Sequence, residues 1–286
     1  MLLGYNTNGF AHHTLEDALH ILAELGYQSV AITLDHHALN PYETGFRRQL
    51  RHVRSLLTRL KLRSVIETGS RFLLNPLRKH RPTLVDTPQQ AAKRMDFLRQ
   101  AVDIASELES DAVSFWSGAT EPDTPERIQW KRLLDGCRKI ADYAGSKGVR
   151  LAFEPEPGMF VDTMTRYAAL HDKVQHPAFG LTLDVGHLHC QGEVPIADHL
   201  RRWQAQLWNI HIEDMRRGVH DHLMFGEGEM EFQPIMRTLR EIRYNGPVHV
   251  ELSRHSHNAV ETAQRAIEYL RQLTTDNYHV SPIRLR

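Results

Sequence analysis

Short apolar, β-branched runs alternate with longer amphipathic stretches along the whole chain. Runs at 2–6, 29–33, 63–67, 112–115, 150–154, 180–184, 207–211 and 247–251 read as buried strands, because each is brief, apolar and bounded by turn or cap residues. The stretches between them carry helical spacing. Thr14-Leu-Glu-Asp17 offers a capped start, Leu19, Leu22, Ala23 and Leu25 follow on one face, and Gly26 ends the helix. Further helices are predicted at about 44–60, 87–109, 124–146, 162–174, 231–242 and 256–273, with a short sixth crossover near 195–203.

Strands separated by helices pair in parallel through crossover connections. Eight such units fit an α/β fold, a single-domain (β/α)8 TIM barrel, whose usual length is about 250 residues. Two small domains would need a linker, and no Pro-, Gly- or Ser-rich stretch supplies one. The barrel is therefore assigned to 1–274. Residues 275–286 lose periodicity and form a C-terminal tail, either frayed or packed against a partner subunit of a homo-oligomer.

Composition narrows the function. The 286 residues are 41% hydrophobic and 24% charged, ordinary for a globular chain with a sizeable core. Formal charge is zero, which argues against a dedicated nucleic-acid binder. No apolar run approaches the roughly 18 residues of a membrane span, the start lacks a signal-like pattern, and Cys137 and Cys190 are too few for a disulfide framework. A cytoplasmic protein without membrane attachment is expected.

The chemistry lies at the strand ends. The runs of the second half finish on Glu154, Asp184, His211 and Glu251. Parallel barrels bring the carboxyl ends of all strands to one face, so these four side chains would converge. Three carboxylates and an imidazole suit a divalent cation, with Mn favoured and Mg, Co or Zn also compatible. As solvated loop charges or internal ion pairs the same residues would need no metal. A cation there would let one carboxylate remove a proton next to a carbonyl and the other return it, epimerising a carbon or moving the carbonyl.

The chain resembles the xylose isomerase-like TIM barrel superfamily, in particular its sugar phosphate isomerase and epimerase group of ketose 3-epimerases, hydroxypyruvate isomerases and inosose-processing enzymes. The resemblance rests on Asp184-Val-Gly-His187, Asn209-Ile-His211-Ile-Glu-Asp214, Phe225-Gly-Glu-Gly-Glu229 before Phe232, and Tyr244-Asn-Gly-Pro-Val-His-Val-Glu251. It implies that Glu154 and Glu251 bind the metal on opposite sides of a carbohydrate-like substrate and exchange protons with it. It implies also that Asp184 and His211 complete the metal site, that His187 contacts a substrate oxygen, and that an arginine after the His211 strand, Arg217 rather than Arg216, binds another. An inosose-dehydratase-like lyase and a non-catalytic metal-binding barrel are the competing readings.

His220 and His222 match positions from which endonuclease-IV-like relatives hold an additional metal. Those phosphodiesterases also use histidines after strands three and four, where this chain has Glu67-Thr-Gly and Phe115-Trp116-Ser-Gly. Glu156 and Trp116 are further candidates for substrate contact, the first for a sugar hydroxyl and the second for stacking. Asn6, His12, His13, His36 and His37 lie at or soon after the first two strand ends, and two of them are expected to reach the site. A loop over 69–82 carries Arg71, Arg78, Lys79 and Arg81 and suggests a lid or an anion-binding segment, unless these charges are merely solvated.

Overall fold

In a computed structural model, which describes residues 1–275, the eight strands close into a parallel barrel. The strands are β1 (Leu2–Asn6), β2 (Ser29–Thr33), β3 (Arg63–Glu67), β4 (Val113–Phe115), β5 (Leu151–Phe153), β6 (Phe179–Asp184), β7 (Leu207–Ile212) and, after the hairpin β8 (Asp214–Arg216) and β9 (Val219–Leu223), β10 (Pro247–Val250). Closure comes from β1, which pairs with β2 on one side and β10 on the other. The helices are α1 (Leu15–Leu25), α2 (Phe46–Leu60), α3 (Pro88–Leu108), α4 (Glu126–Ser146), α5 (Met164–Val174), α6 (Val185–Gln191), α7 (Ile196–Trp203), α8 (Phe232–Glu241) and α9 (Ala259–Thr275). Residues of the expected tail beyond 275 lie outside the described part.

The local signals act as read. Thr14 accepts from the Asp17 amide at 3.1 Å and Gly26 closes α1 in the left-handed region. Two elements were not foreseen. Asp184 caps α6 by accepting from the His187 amide at 2.9 Å, which starts a helix directly at a strand end. The β8–β9 hairpin turns through Arg217-Gly218, with Gly218 at φ +70°, and its strands are too short to show alternation.

The core is also arranged differently from a wholly apolar barrel. Val30, Ile32, Ile66, Leu181, Leu183, Ile210, Ile212, Val248 and Val250 join one buried cluster with residues of the surrounding helices. On the alternate positions, a chain of small polar groups crosses the barrel. Ser29 Oγ lies 2.9 Å from His249 Nε2, His249 Nδ1 lies 2.8 Å from Asn209 Oδ1, and Thr182 Oγ1 donates to Ser114 Oγ at 3.0 Å. All five are nearly inaccessible, and buried polar groups persist only when paired in this way. Gly4 makes the room: a Cβ there would lie 2.3 Å from the His249 ring. This polar layer is the floor on which His211 stands.

Candidate metal centre

Strand period decides which residues enter the pocket. His211 is two positions beyond Asn209 on β7 and shares its inward face, while β5 and β10 end just before Glu154 and Glu251. Donor atoms of Glu154, Asp184, His211 and Glu251 all lie within 4.8 Å of one another. His211 Nδ1 sits 3.0 Å from Glu154 Oε1 and 3.0 Å from Glu251 Oε2. Asp184 divides its work: Oδ1 caps α6, while the buried Oδ2 has no hydrogen-bond partner and lies 3.4 Å from His187 Nε2. A buried carboxylate oxygen left without a hydrogen bond among two more carboxylates and an imidazole is what a cation would satisfy, so the donor set fits a divalent metal ion.

Electrostatics say the same. Burial opposes charge on His211, but the carboxylates of Glu154, Glu67 and Glu251 overcome it and hold its pKa well above the ordinary imidazole value. Burial pushes Glu154 up to about 8, against the pull of His211 and with the help of Glu251 and Asp184. For Glu251 burial is outweighed by His211, His222 and His187, and its pKa falls below the usual carboxylate range. Asp184 is lowered too, with His187, His222 and His211 overcoming burial. These carboxylates thus favour the protonated form of His211.

Glu67, at the end of β3, belongs to the site although the sequence reading used it only as a departure from another pattern. Its Oε1 is 3.0 Å from His211 Nε2, on the side of the ring away from Glu154 and Glu251. A carboxylate behind a ligating histidine fixes its tautomer and raises its basicity. Glu67 obeys the same strand-end rule as the other four, so the signal was present. Asn8 carried no such signal. It lies in the turn Thr7–Phe10 after β1 and donates to Glu251 Oε1 at 2.7 Å.

A cavity of about 330 Å³ opens over these groups, a size suited to a small ligand. Its walls include Asn6, Arg71, Lys79, His80, Trp116, Glu156, His187, His220, His222 and Arg254. His187, Glu156 and Trp116 are thus brought to the site. Burial is the main reason Glu156 rises to about 7 and His187 falls to about 3. Arg217 is not brought there. The hairpin turn leaves it exposed, with its amide on Glu229 and its guanidinium beside Gly192, and Arg254 reaches the cavity instead. Arg216 is likewise exposed and donates to the Glu227 carbonyl.

Of the five residues after the first two strands, only Asn6 lines this cavity. His13, His36 and His37 line a neighbouring, more apolar one of about 260 Å³, and His12 is exposed. His220 and His222 converge with His187, their donor atoms lying within 4.8 Å, and His220 Nε2 is 2.9 Å from His187 Nε2. Behind them Glu213 is fully buried, and neither of its oxygens has a hydrogen-bond partner.

A closed parallel barrel with convergent carboxylates and histidines at the carboxyl ends of its strands defines a class. The profile of the xylose isomerase-like TIM barrel family matches residues 14–273, and the chain belongs to that family. Among relatives, an inosose dehydratase of Clostridium beijerinckii is 28% identical over 165 residues, 51% of this chain and 55% of that protein. The match thus spans little more than half of that relative. The L-ribulose-5-phosphate 3-epimerase UlaE of Shigella flexneri is 23% identical over 191 residues, 66% of this chain and 67% of its own. Among solved structures, a Methylomonas D-allulose 3-epimerase superposes with a TM-score of 0.76 at 20% identity, covering 96% of this chain and 98% of that one. The IolI protein, crystallised with a zinc atom, gives 0.78 at 18% identity over 98% and 100%. These superpositions establish a shared fold.

Proposed function

We propose that the protein is a metal-dependent enzyme that isomerises or epimerises a sugar or a related hydroxy-carbonyl compound. The observation that carries this reading is the convergence of Glu154 and Glu251 on His211 at 3.0 Å each, beside an Asp184 oxygen without a hydrogen bond, at the floor of a sugar-sized cavity. Glu154, Asp184, His211 and Glu251 would hold the ion. A divalent cation supplies Lewis acidity to a substrate carbonyl and its neighbouring hydroxyl, which makes the adjacent C–H acidic.

The protein's own groups do the rest. Glu251, held by the Asn8 amide, and Glu154, which shares His211 Nδ1 with it, carry the exchange: one takes a proton from carbon and the other delivers a proton. Return to the opposite face of the same carbon gives epimerisation, and return to the neighbouring carbon gives isomerisation. His187 and Glu156 bind hydroxyls, and Trp116 covers the apolar face of the ligand. Mn is our first choice of ion because three of the four donors are carboxylates. Zinc, the ion in the IolI relative, is the alternative.

Glu154→Gln and Glu251→Gln are each expected to lower solvent-deuterium incorporation into substrate by about a hundredfold or more, in the range of general acid–base contributions. Metal content is measured in parallel. Undiminished exchange in either metal-loaded variant would refute the assignment. The partial match to inosose dehydratases sustains a second reading, elimination of water after the same proton abstraction. A product lighter by one water identifies it.

A further inference from the structure

We propose that the cavity wall formed by residues 69–82 contains an anion subsite, Arg71 with Lys79, and that the substrate carries a phosphate or carboxylate at the end remote from the metal. This deepens the reading above and rests on it for the identity of the other end.

The loop carries four cations, but the fold gives them two different fates. Arg81 pairs with Asp86 at 2.5 Å and with Glu121, and Arg78 lies 3.8 Å from Glu121. Arg71 and Lys79 line the cavity, and among the described residues neither has a carboxylate within ion-pair distance. Arg71 makes one long contact, 3.5 Å to the Asn8 carbonyl. Arg254, the other arginine of the cavity, is paired with Asp221 at 2.6 Å. On this loop, then, the neutralised arginines lie off the cavity while the unpaired cations line it, a pattern that plain surface charge does not require.

The wall is pre-formed. Arg94 of α3, only 3% exposed, donates to the carbonyls of Pro82 at 2.8 Å, Thr68 at 3.0 Å and His80 at 3.0 Å, and to Ser70 Oγ at 3.3 Å. Its guanidinium also lies over the Trp116 ring, 5.0 Å from the centroid. The His80 amide bonds the Arg71 carbonyl at 2.6 Å, which ties the two ends of the basic segment together. A ligand meeting this wall does not have to order a loose loop, which is the usual entropic cost of recognition by loop residues. Burial is the main reason the pKa of His80 falls to about 4, and Lys79, Arg94 and Arg71 lower it further against its hydrogen bond to the Gly69 carbonyl. Guanidinium and ammonium groups aimed into a partly enclosed, polar cavity match phosphate and carboxylate oxygens.

The test uses the metal-loaded full chain and a panel of 2-ketoses, each presented as the neutral sugar, its terminal phosphate and its terminal carboxylate. Calorimetric binding is expected to favour at least one anionic form over its neutral parent by roughly 10- to 100-fold, and the gap should shrink with added salt. Arg71→Gln combined with Lys79→Gln should close the gap. Arg78→Gln, on the same loop but turned to Glu121, should keep it. The phosphate-to-carboxylate ratio then identifies the natural anion. If no anionic form outbinds its parent, or the gap survives the double variant, the subsite is refuted. Anion preference that depends on Arg71 and Lys79 but comes with no turnover upholds the subsite and refutes the proton-exchange reading instead.

Discussion

Glu67→Gln isolates a carboxylate that would act on the metal through His211 without touching it. His211 Nε2 lies between Glu67 Oε1 at 3.0 Å and the Asn209 amide nitrogen at 3.1 Å, an acceptor and a donor. With an ionised Glu67 the proton sits on Nε2, leaving Nδ1 free to face Glu154, Glu251 and a cation. In the Glu67→Gln variant the charge is lost, and Asn209 can donate to Nε2 in the other tautomer. The proton then moves to Nδ1, where the two carboxylates accept it and compete with the metal. Partners behind a metal-bound histidine are worth roughly 10- to 100-fold in affinity, and the Gln substitution, which keeps the shape and an acceptor, should cost about tenfold, or ~1.4 kcal/mol. Glu67→Ala should lie near the upper end. Competition with a chromophoric chelator at alkaline pH measures both. Affinities of both variants within about twofold of the parent protein would show that Glu67 does not orient His211.

Other outcomes follow from the same structure. Metal uptake near neutral pH should release about one proton or more, since His211 is held above its ordinary value and Glu154 near 8; affinity should therefore rise with pH, and calorimetry in buffers of different ionisation enthalpy would expose a lack of release. In the metal-free protein, the raised His211 contributes stability that is complete below the imidazole value of about 6.5 and is lost as pH climbs through its folded value. Added metal should remove much of that alkaline loss of melting temperature, and a pH-independent melting curve from neutral upward would contradict it. Arg94→Met removes four hydrogen bonds to buried or half-buried acceptors, partly offset by the removal of a buried charge. A loss of about 2–4 kcal/mol and a melting temperature lower by roughly 5–10 °C are expected, with metal affinity retained. Gly180→Ala would place a Cβ 2.6 Å from the Gln206 carbonyl oxygen and 2.7 Å from the Trp208 ring, so it should cost about 1–3 kcal/mol in a denaturant titration; an unchanged midpoint would mean the strand relaxes freely.

Local chemistry explains why so much was legible. A strand that ends on a carboxylate does so in one dimension, and the parallel barrel turns eight such ends into one face, so Glu154, Asp184, His211 and Glu251 could be assembled from the sequence. The helices α1 to α5 lie within two residues of their predicted bounds for a similar reason, because caps and 3.6-residue spacing are short-range signals. Contacts between distant residues have no such signature. That Arg217 turns away while Arg254 faces the cavity depends on a hairpin whose turn is set by Gly218. That Arg71 and Lys79 are unpaired while Arg81 is neutralised depends on where Asp86 and Glu121 arrive. The polar layer through Ser29, His249 and Asn209 depends on Gly4 leaving space one strand away. By itself the sequence determined the barrel, its strand ends and the donor set that converges there, since these follow from periodicity and order along the chain. Only the tertiary structure decided which charges face the ligand and which cancel one another, because that depends on distances between residues that the chain keeps far apart.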